Sequence, residues 1–126
     1  MATRVLVLDD QQYLRDIIAA IVEDAGYPAL AVGTPDEALQ QMHELHPELL
    51  ILDLSLPGIS GVDFLAQLRA QPLWQTMPVI VVSGDPGKLG AVKDRPHVVA
   101  LTKPFDVTVL VSAIESALGP PALTIR

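Results

Sequence analysis

Side chains able to do chemistry stand at or just beyond the ends of short apolar runs at four places in this sequence. They are, in chain order, Asp9, Asp10, Asp53, Ser83 and Lys103. Each run is only four apolar residues long, which suits a buried strand better than a helix. Because ligands bind outside the carboxyl ends of parallel strands, this set of side chains is a candidate site.

The residue types at these strand ends indicate phosphoryl chemistry. Three carboxylates held together repel one another by several kcal/mol at an effective dielectric constant of about 20, so the site needs a cation or bound protons. Oxygen ligands favour a hard ion such as Mg²⁺. Lys103 adds a positive charge and Ser83 a hydroxyl donor, and such groups neutralise a phosphoryl group in transfer. Asp53 can then act as the nucleophile that forms an aspartyl phosphate.

Strand and helix patterns alternate along the chain and predict the scaffold of this site. Helix starts are indicated by the capping box in Thr34-Pro35-Asp36-Glu37, by Ser60 and by Asp106. We expect five strands, four clear helices and a short, degraded fourth helix between residues 85 and 97, where two prolines and two glycines interrupt the pattern. This alternation is typical of an α/β fold, a doubly wound parallel sheet with helices on both faces.

The last predicted helix has an apolar stripe at helical spacing. Its members are Val107, Leu110, Val111, Ile114 and Leu118. The stripe predicts that this helix packs one face on the sheet. We expect residues 1–119 to form one domain and residues 120–126 to form a flexible C-terminal tail.

Composition narrows the function classes. Half of the 126 residues are hydrophobic and 18% are charged, which predicts one folded domain. A net charge of −7 argues against direct binding of nucleic acid and favours a protein partner. The chain has no Cys, and its apolar runs are too short for a membrane span, so we expect a cytoplasmic domain without membrane contact.

The motifs around the candidate site resemble a known family when they are taken in order. Asp9-Asp10 is followed by Leu-Asp-Leu-Ser-Leu-Pro-Gly-Ile-Ser-Gly around Asp53, then by Val-Val-Ser-Gly and by Leu-Thr-Lys-Pro-Phe. This order is similar to that of the CheY-like receiver domain of two-component response regulators, over Arg4 to about Leu118. The resemblance implies a flavodoxin-like sheet with strand order 2-1-3-4-5.

The resemblance also implies a phosphorelay role. Asp53 would accept a phosphoryl group from a phosphohistidine on a sensor histidine kinase or a histidine phosphotransfer protein. Ser83 and Lys103 would contact the phosphoryl oxygens, and the bond between Lys103 and Pro104 is expected to be cis. The domain would catalyse its own phosphorylation and dephosphorylation and would then signal by binding a downstream protein that the sequence does not identify.

Metal ligands follow from the same resemblance. Asp10, Asp53 and the backbone carbonyl of Ser55 would bind Mg²⁺ directly, and Asp9 would hold it through water.

One position departs from the family pattern. Receivers usually carry Tyr or Phe three residues before the lysine, a ring that rotates inward on phosphorylation, whereas this chain has Ala100. We therefore expect phosphorylation to be read by backbone movement around residues 83–85 rather than by an aromatic rotamer.

Other readings of the sequence stay open at this point. The chain could be a stand-alone receiver, since no effector domain follows Leu118, or the receiver of a hybrid kinase or longer regulator. A phosphorylation-independent interaction module would account for Ala100. A flavodoxin-like cofactor-binding domain would share the topology, but residues 9–12, Asp-Asp-Gln-Gln, would repel a phosphate without a metal.

Overall fold

The computed structural model describes residues 4–121, in which strands and helices alternate from end to end. The strands are β1 (Val5–Leu8), β2 (Ala29–Val32), β3 (Leu49–Asp53), β4 (Val79–Ser83) and β5 (Val98–Thr102). The helices are α1 (Gln12–Asp24), α2 (Pro35–Leu45), α3 (Gly61–Arg69), α4 (Pro86–Val92) and α5 (Val107–Leu118), with one 3₁₀ turn at Pro72–Trp74. Most of the expected tail, residues 122–126, lies outside the described residues.

The strands form a single parallel sheet in the order β2-β1-β3-β4-β5, which confirms the predicted fold class and strand order. In the centre of the sheet, Val5 of β1 pairs with Ala29 of β2 on one side and with Leu49 of β3 on the other. Because every strand runs in the same direction, the carboxyl ends of all five lie at one edge.

Alternate residues of each strand point into two separate cores. Leu6 and Leu8 of β1 belong to a core with α2, α3 and α4, and Val5 and Val7 belong to a core with α1 and α5. The central strands are buried on both faces, since every residue of β1, β3 and β4 is buried. This explains why these strands appear in the sequence as continuous apolar runs.

The predicted helix starts are confirmed by capping hydrogen bonds. The Thr34 hydroxyl accepts from the backbone N–H of Glu37 at 3.2 Å, the Ser60 hydroxyl from Asp63, and the Asp106 carboxylate from Thr108. In the capping box at Thr34 the reciprocal bond differs from the standard pattern, because the Glu37 carboxylate accepts from the Thr34 hydroxyl.

The fourth helix is short, as predicted, and the start of the fifth differs from its prediction. Helix α4 has seven residues and buries Leu89 and Val92. The predicted stripe of α5 holds for Leu110 and Ile114, which are buried, but Val107 is 51% exposed. Val107 is the first residue of α5, and helical periodicity does not show that its side chain lies beyond the edge of the core.

Within residues 4–121, no helix combines the length and the apolar character that crossing a bilayer requires.

Close packing right after β3 depends on a glycine. A Cβ atom on Gly61 would lie 2.4 Å from the Leu54 Cα atom and 2.7 Å from the Asp53 carbonyl oxygen. The Gly61 N–H donates to the Leu54 carbonyl at 3.0 Å. The start of α3 is therefore pressed against the backbone that carries Asp53.

We predict that Gly61→Ala destabilises the fold by about 1–3 kcal/mol, because the added methyl group meets backbone that cannot move aside without disturbing β3. The free energy of unfolding from urea titration measures this. The matched control is Gly90→Ala in α4, where a Cβ atom would have no neighbour within 4 Å. This control is expected to gain up to about 1 kcal/mol from helix propensity. Equal effects of the two substitutions would contradict the packing argument.

Candidate functional site

The carboxyl edge of the sheet brings the predicted site residues together. Asp9 follows β1, Asp53 ends β3 and Ser83 ends β4, and all three are buried although they are polar. Lys103 follows β5, and its backbone N–H donates to the Ser83 carbonyl at 2.9 Å. Its peptide bond to Pro104 is cis, as expected.

The Lys103 ammonium group lies between two carboxylates. Its Nζ atom is 3.6 Å from Asp9 Oδ2 and 3.5 Å from Asp53 Oδ1. These distances are those of ion pairs rather than of short hydrogen bonds, so the ammonium hydrogens are not committed to either carboxylate. The Lys103 side chain is one quarter exposed, so an incoming group can reach its ammonium from solvent.

Asp9 carries an incompletely satisfied buried charge. Its Oδ1 atom accepts the backbone N–H of Gln11 at 2.9 Å, but its Oδ2 atom has no hydrogen-bond partner among the described residues. Burial raises the pKa of the Asp9 carboxyl, and the negative charges of Asp53 and Asp10 raise it further, while the Gln11 N–H and Lys103 act in the opposite direction.

Asp10 completes an acidic cluster from the exposed side. One carboxylate oxygen from each of Asp9, Asp10 and Asp53 lies within 4.8 Å of the others. Asp10 is exposed while its two neighbours are buried. A cation at this place would satisfy the orphaned Asp9 oxygen and relieve the repulsion among the three carboxylates.

Backbone hydrogen bonds fix two of the predicted site residues, Asp53 and Ser83. Asp53 Oδ1 accepts from the Ser55 N–H at 3.0 Å. The Ser83 hydroxyl oxygen accepts from the Asp85 N–H at 3.0 Å, which leaves its own hydrogen free to donate. Both side chains are therefore held in place by the loops that follow their strands.

Arg15 also supports the site, and the sequence interpretation missed it. Its Nη1 atom donates to the carbonyls of Asp9 and Asp10 at 3.4 and 3.3 Å. A Cβ atom on Gly33 would lie 3.0 Å from the same nitrogen, so this glycine gives the guanidinium its space. Helical spacing alone places Arg15 on the polar side of α1. Its position in the first turn of that helix, five residues after Asp10, is the signal that could have found it.

Lys88 is a second basic residue near the site that the sequence did not indicate. It lies in the first turn of α4, and its Nζ atom donates to the Ser55 hydroxyl at 3.3 Å. Because these residues are 33 positions apart in the chain, no local pattern predicts their contact.

Comparison with known proteins agrees with this geometry. Residues 5–115 match the family described as response regulator receiver domain. The chain is 29% identical over 124 residues to the phosphate regulon transcriptional regulatory protein PhoB of Escherichia coli (strain K12), and the match covers 94% of this chain and 52% of PhoB. The chain thus spans about half the length of the curated relatives it matches.

Solved structures show the same fold. A putative response regulator from Chloroflexus aurantiacus superposes with a TM-score of 0.84 at 29% identity, covering 94% of this chain and 98% of that one. The chemotaxis protein CheY4 of Vibrio cholerae gives a TM-score of 0.82 at 24% identity, covering 94% and 100%. The chain belongs to the response regulator receiver domain family, and receivers of this family act in two-component signal transduction, where they interact with histidine kinases.

We predict that Asp9→Asn stabilises the metal-free protein at neutral pH by on the order of 1 kcal/mol, because it removes a poorly compensated buried charge. The pKa of Asp9 is raised in the folded state, so the folded protein binds this proton more tightly than the unfolded chain. The stability that this tighter proton binding contributes is fully present below the pKa that Asp9 has in the unfolded chain. It is lost as the pH rises through the pKa of Asp9 in the folded protein. The stabilisation of Asp9→Asn relative to the wild type should therefore disappear in acid.

Urea titrations in the presence of a chelator, from pH 3 to pH 8, measure the gain. Asp16→Asn on the exposed side of α1 is the control and should change little. A destabilised Asp9→Asn at neutral pH would show that the ion pair with Lys103 outweighs the burial of Asp9.

Proposed function

We propose that Asp53 is the phosphoacceptor of this receiver and takes its phosphoryl group from a phosphohistidine on a sensor histidine kinase or a histidine phosphotransfer protein. In this step an Asp53 carboxylate oxygen forms a bond to phosphorus while the bond between phosphorus and the histidine nitrogen breaks. The imidazole leaves and takes a proton from solvent. The observation that carries the proposal is the Lys103 ammonium held 3.5 Å from Asp53 Oδ1, beside a second acid.

The other residues of the chain hold and neutralise the transferred group. Lys103 supplies a positive charge to the phosphoryl oxygens, which gather negative charge during transfer. Ser83 donates its free hydroxyl hydrogen, since its oxygen already accepts from Asp85. The Ser55 N–H fixes the Asp53 carboxylate before the reaction, so little reorganisation is needed. We propose that phosphorylation and hydrolysis of the acyl phosphate are both self-catalysed by this site.

Asp9, Asp10, Asp53 and the Ser55 backbone carbonyl would hold Mg²⁺ here. The orphaned Oδ2 atom of buried Asp9 and the close carboxylate oxygens fit a hard cation. When bound, Mg²⁺ would supply positive charge that offsets both the acidic cluster and the phosphoryl oxygens. Asp9 would act through water, and the other three ligands directly.

The signal would leave the site through the chain that follows Ser83. The Ser83 hydroxyl is tied to the Asp85 N–H, and the Asp85 carboxylate caps α4 by accepting from Gly87 at 2.9 Å and Lys88 at 3.3 Å. A Ser83 side chain drawn towards a phosphoryl group would therefore move residues 83–85 and the start of α4. Half-buried Ala100 leaves β5 without the ring that usually reports this movement.

The proposal extends to the bounds of the domain, its compartment and its partners. We propose that residues 1–119 form the receiver with a short tail at 120–126, and that it works in the cytoplasm through a downstream protein. The net charge of −7 disfavours direct contact of this domain with nucleic acid. PhoB is by its name a transcriptional regulatory protein of about twice the matched length, so a longer regulator with a further domain is the alternative setting.

We predict that acetyl phosphate with Mg²⁺ adds one phosphoryl group to the protein, and that Asp53→Asn reduces this adduct at least a hundredfold, because the amide is not a nucleophile. Intact mass spectrometry over a time course measures both. Asp94→Asn is the control, since Asp94 is an exposed acid in the loop before β5. An undiminished adduct in Asp53→Asn would move the acceptor elsewhere. A wild-type protein that forms no adduct would favour a phosphorylation-independent interaction module.

A further inference from the structure

Lys88 connects α4 to the phosphoacceptor through two hydrogen bonds. Its Nζ atom donates to the Ser55 hydroxyl at 3.3 Å, and the N–H of the same serine donates to Asp53 Oδ1 at 3.0 Å. Ser55 lies on the loop after β3, and Lys88 lies in α4, the helix that follows β4. The contact therefore crosses the mouth of the site between two separate elements.

The charge of Lys88 has no acidic partner in residues 4–121, where no carboxylate lies within 4 Å of its ammonium. The ammonium makes one hydrogen bond to these residues, and its partner is a neutral hydroxyl. Lys103 differs, because it lies between two carboxylates. An ammonium group held only by a hydroxyl can exchange that partner for an anion with a gain in electrostatic energy.

The helix that carries Lys88 is short and has few buried side chains, so it can shift. Helix α4 has seven residues, includes Gly87 and Gly90, and is anchored by Leu89 and Val92. Helices of this length depend on packing rather than on their own propensity, so a new contact at the first turn can shift α4 without breaking a long element.

We propose that Lys88 is a second phosphoryl-binding cation of this receiver. On phosphorylation of Asp53, the Lys88 ammonium leaves the Ser55 hydroxyl, binds a phosphoryl oxygen at the mouth of the site and draws the first turn of α4 towards the end of β3. This inference rests on the proposed function. It gives α4 a direct contact with the phosphoryl group in a chain where Ala100 replaces the usual ring.

The test compares Lys88→Met with Lys93→Met, a lysine that ends the same helix away from Ser55. The probe is beryllofluoride with Mg²⁺, a stable mimic of a phosphoryl group. We expect Lys88→Met to bind beryllofluoride about tenfold more weakly than the wild type, as loss of one charge-assisted hydrogen bond implies. Lys93→Met should bind as the wild type does. Lys88→Arg should keep most of the affinity because it retains the charge.

Amide chemical shifts give a second readout that a simple surface contact would not change. In the wild type and in Lys93→Met, beryllofluoride should shift the amides of residues 86–92, and in Lys88→Met these shifts should shrink while those of residues 53–55 persist. Wild-type affinity and undiminished α4 shifts in Lys88→Met would overturn the inference, although the phosphoacceptor role of Asp53 would stand. A wild-type protein that neither binds beryllofluoride at Asp53 nor forms the acetyl phosphate adduct would overturn both.

Discussion

The ion pairs of Lys103 with two buried carboxylates, those of Asp9 and Asp53, are the interaction on which the site depends. Asp9 and Asp53 lie at the ends of neighbouring strands, and without a cation between them their burial at this separation would be strongly unfavourable. Lys103 offsets this only in part, since one oxygen of Asp9 stays without a hydrogen bond. The site thus lacks both positive charge and hydrogen-bond donors. A divalent cation would supply the charge, and a water molecule bound to it would supply a donor to Asp9.

The parallel sheet explains how residues distant in sequence meet at this place. Strands β1, β3 and β4 are buried on both faces, so their register is fixed by packing, and each ends at the same edge. The polar side chains at that edge therefore lie in the site, immediately beyond the apolar core. Local contacts then refine the arrangement: Arg15 holds the backbone after β1, and Gly61 lets α3 press against the residues after β3. The scaffold therefore determines the geometry of the site, because a change in strand register would move the charged side chains apart.

Much of this could be predicted from the sequence because the fold and the site share one pattern. Apolar runs that end in Asp53 or Ser83 identify a buried strand and a candidate functional group together. The strand order, by contrast, came from the family resemblance, since apolar runs do not show which strands are neighbours. Helical periodicity misplaced Val107, because the pattern does not show where the core ends.

The remaining features depend on contacts between residues far apart in the chain. That Asp9 is buried while Asp10 is exposed could not be predicted from two adjacent identical residues. The path of this loop is held by Arg15, which donates to the backbone carbonyls of both residues. The link from Lys88 to Ser55 likewise joins helix α4 to the loop after β3, and only the folded chain defines the relative position of these two segments.

The proposed function requires that four strand ends converge on one small anion and its cation. A crystal structure of the protein with Mg²⁺ and beryllofluoride tests it most directly. We expect beryllofluoride bonded to Asp53, with the Lys103 ammonium and the Ser83 hydroxyl in hydrogen-bond contact with its fluorines and the metal among Asp9, Asp10 and Asp53. Beryllofluoride bound at another carboxylate, or a Lys103 side chain directed away from an occupied Asp53, would contradict it.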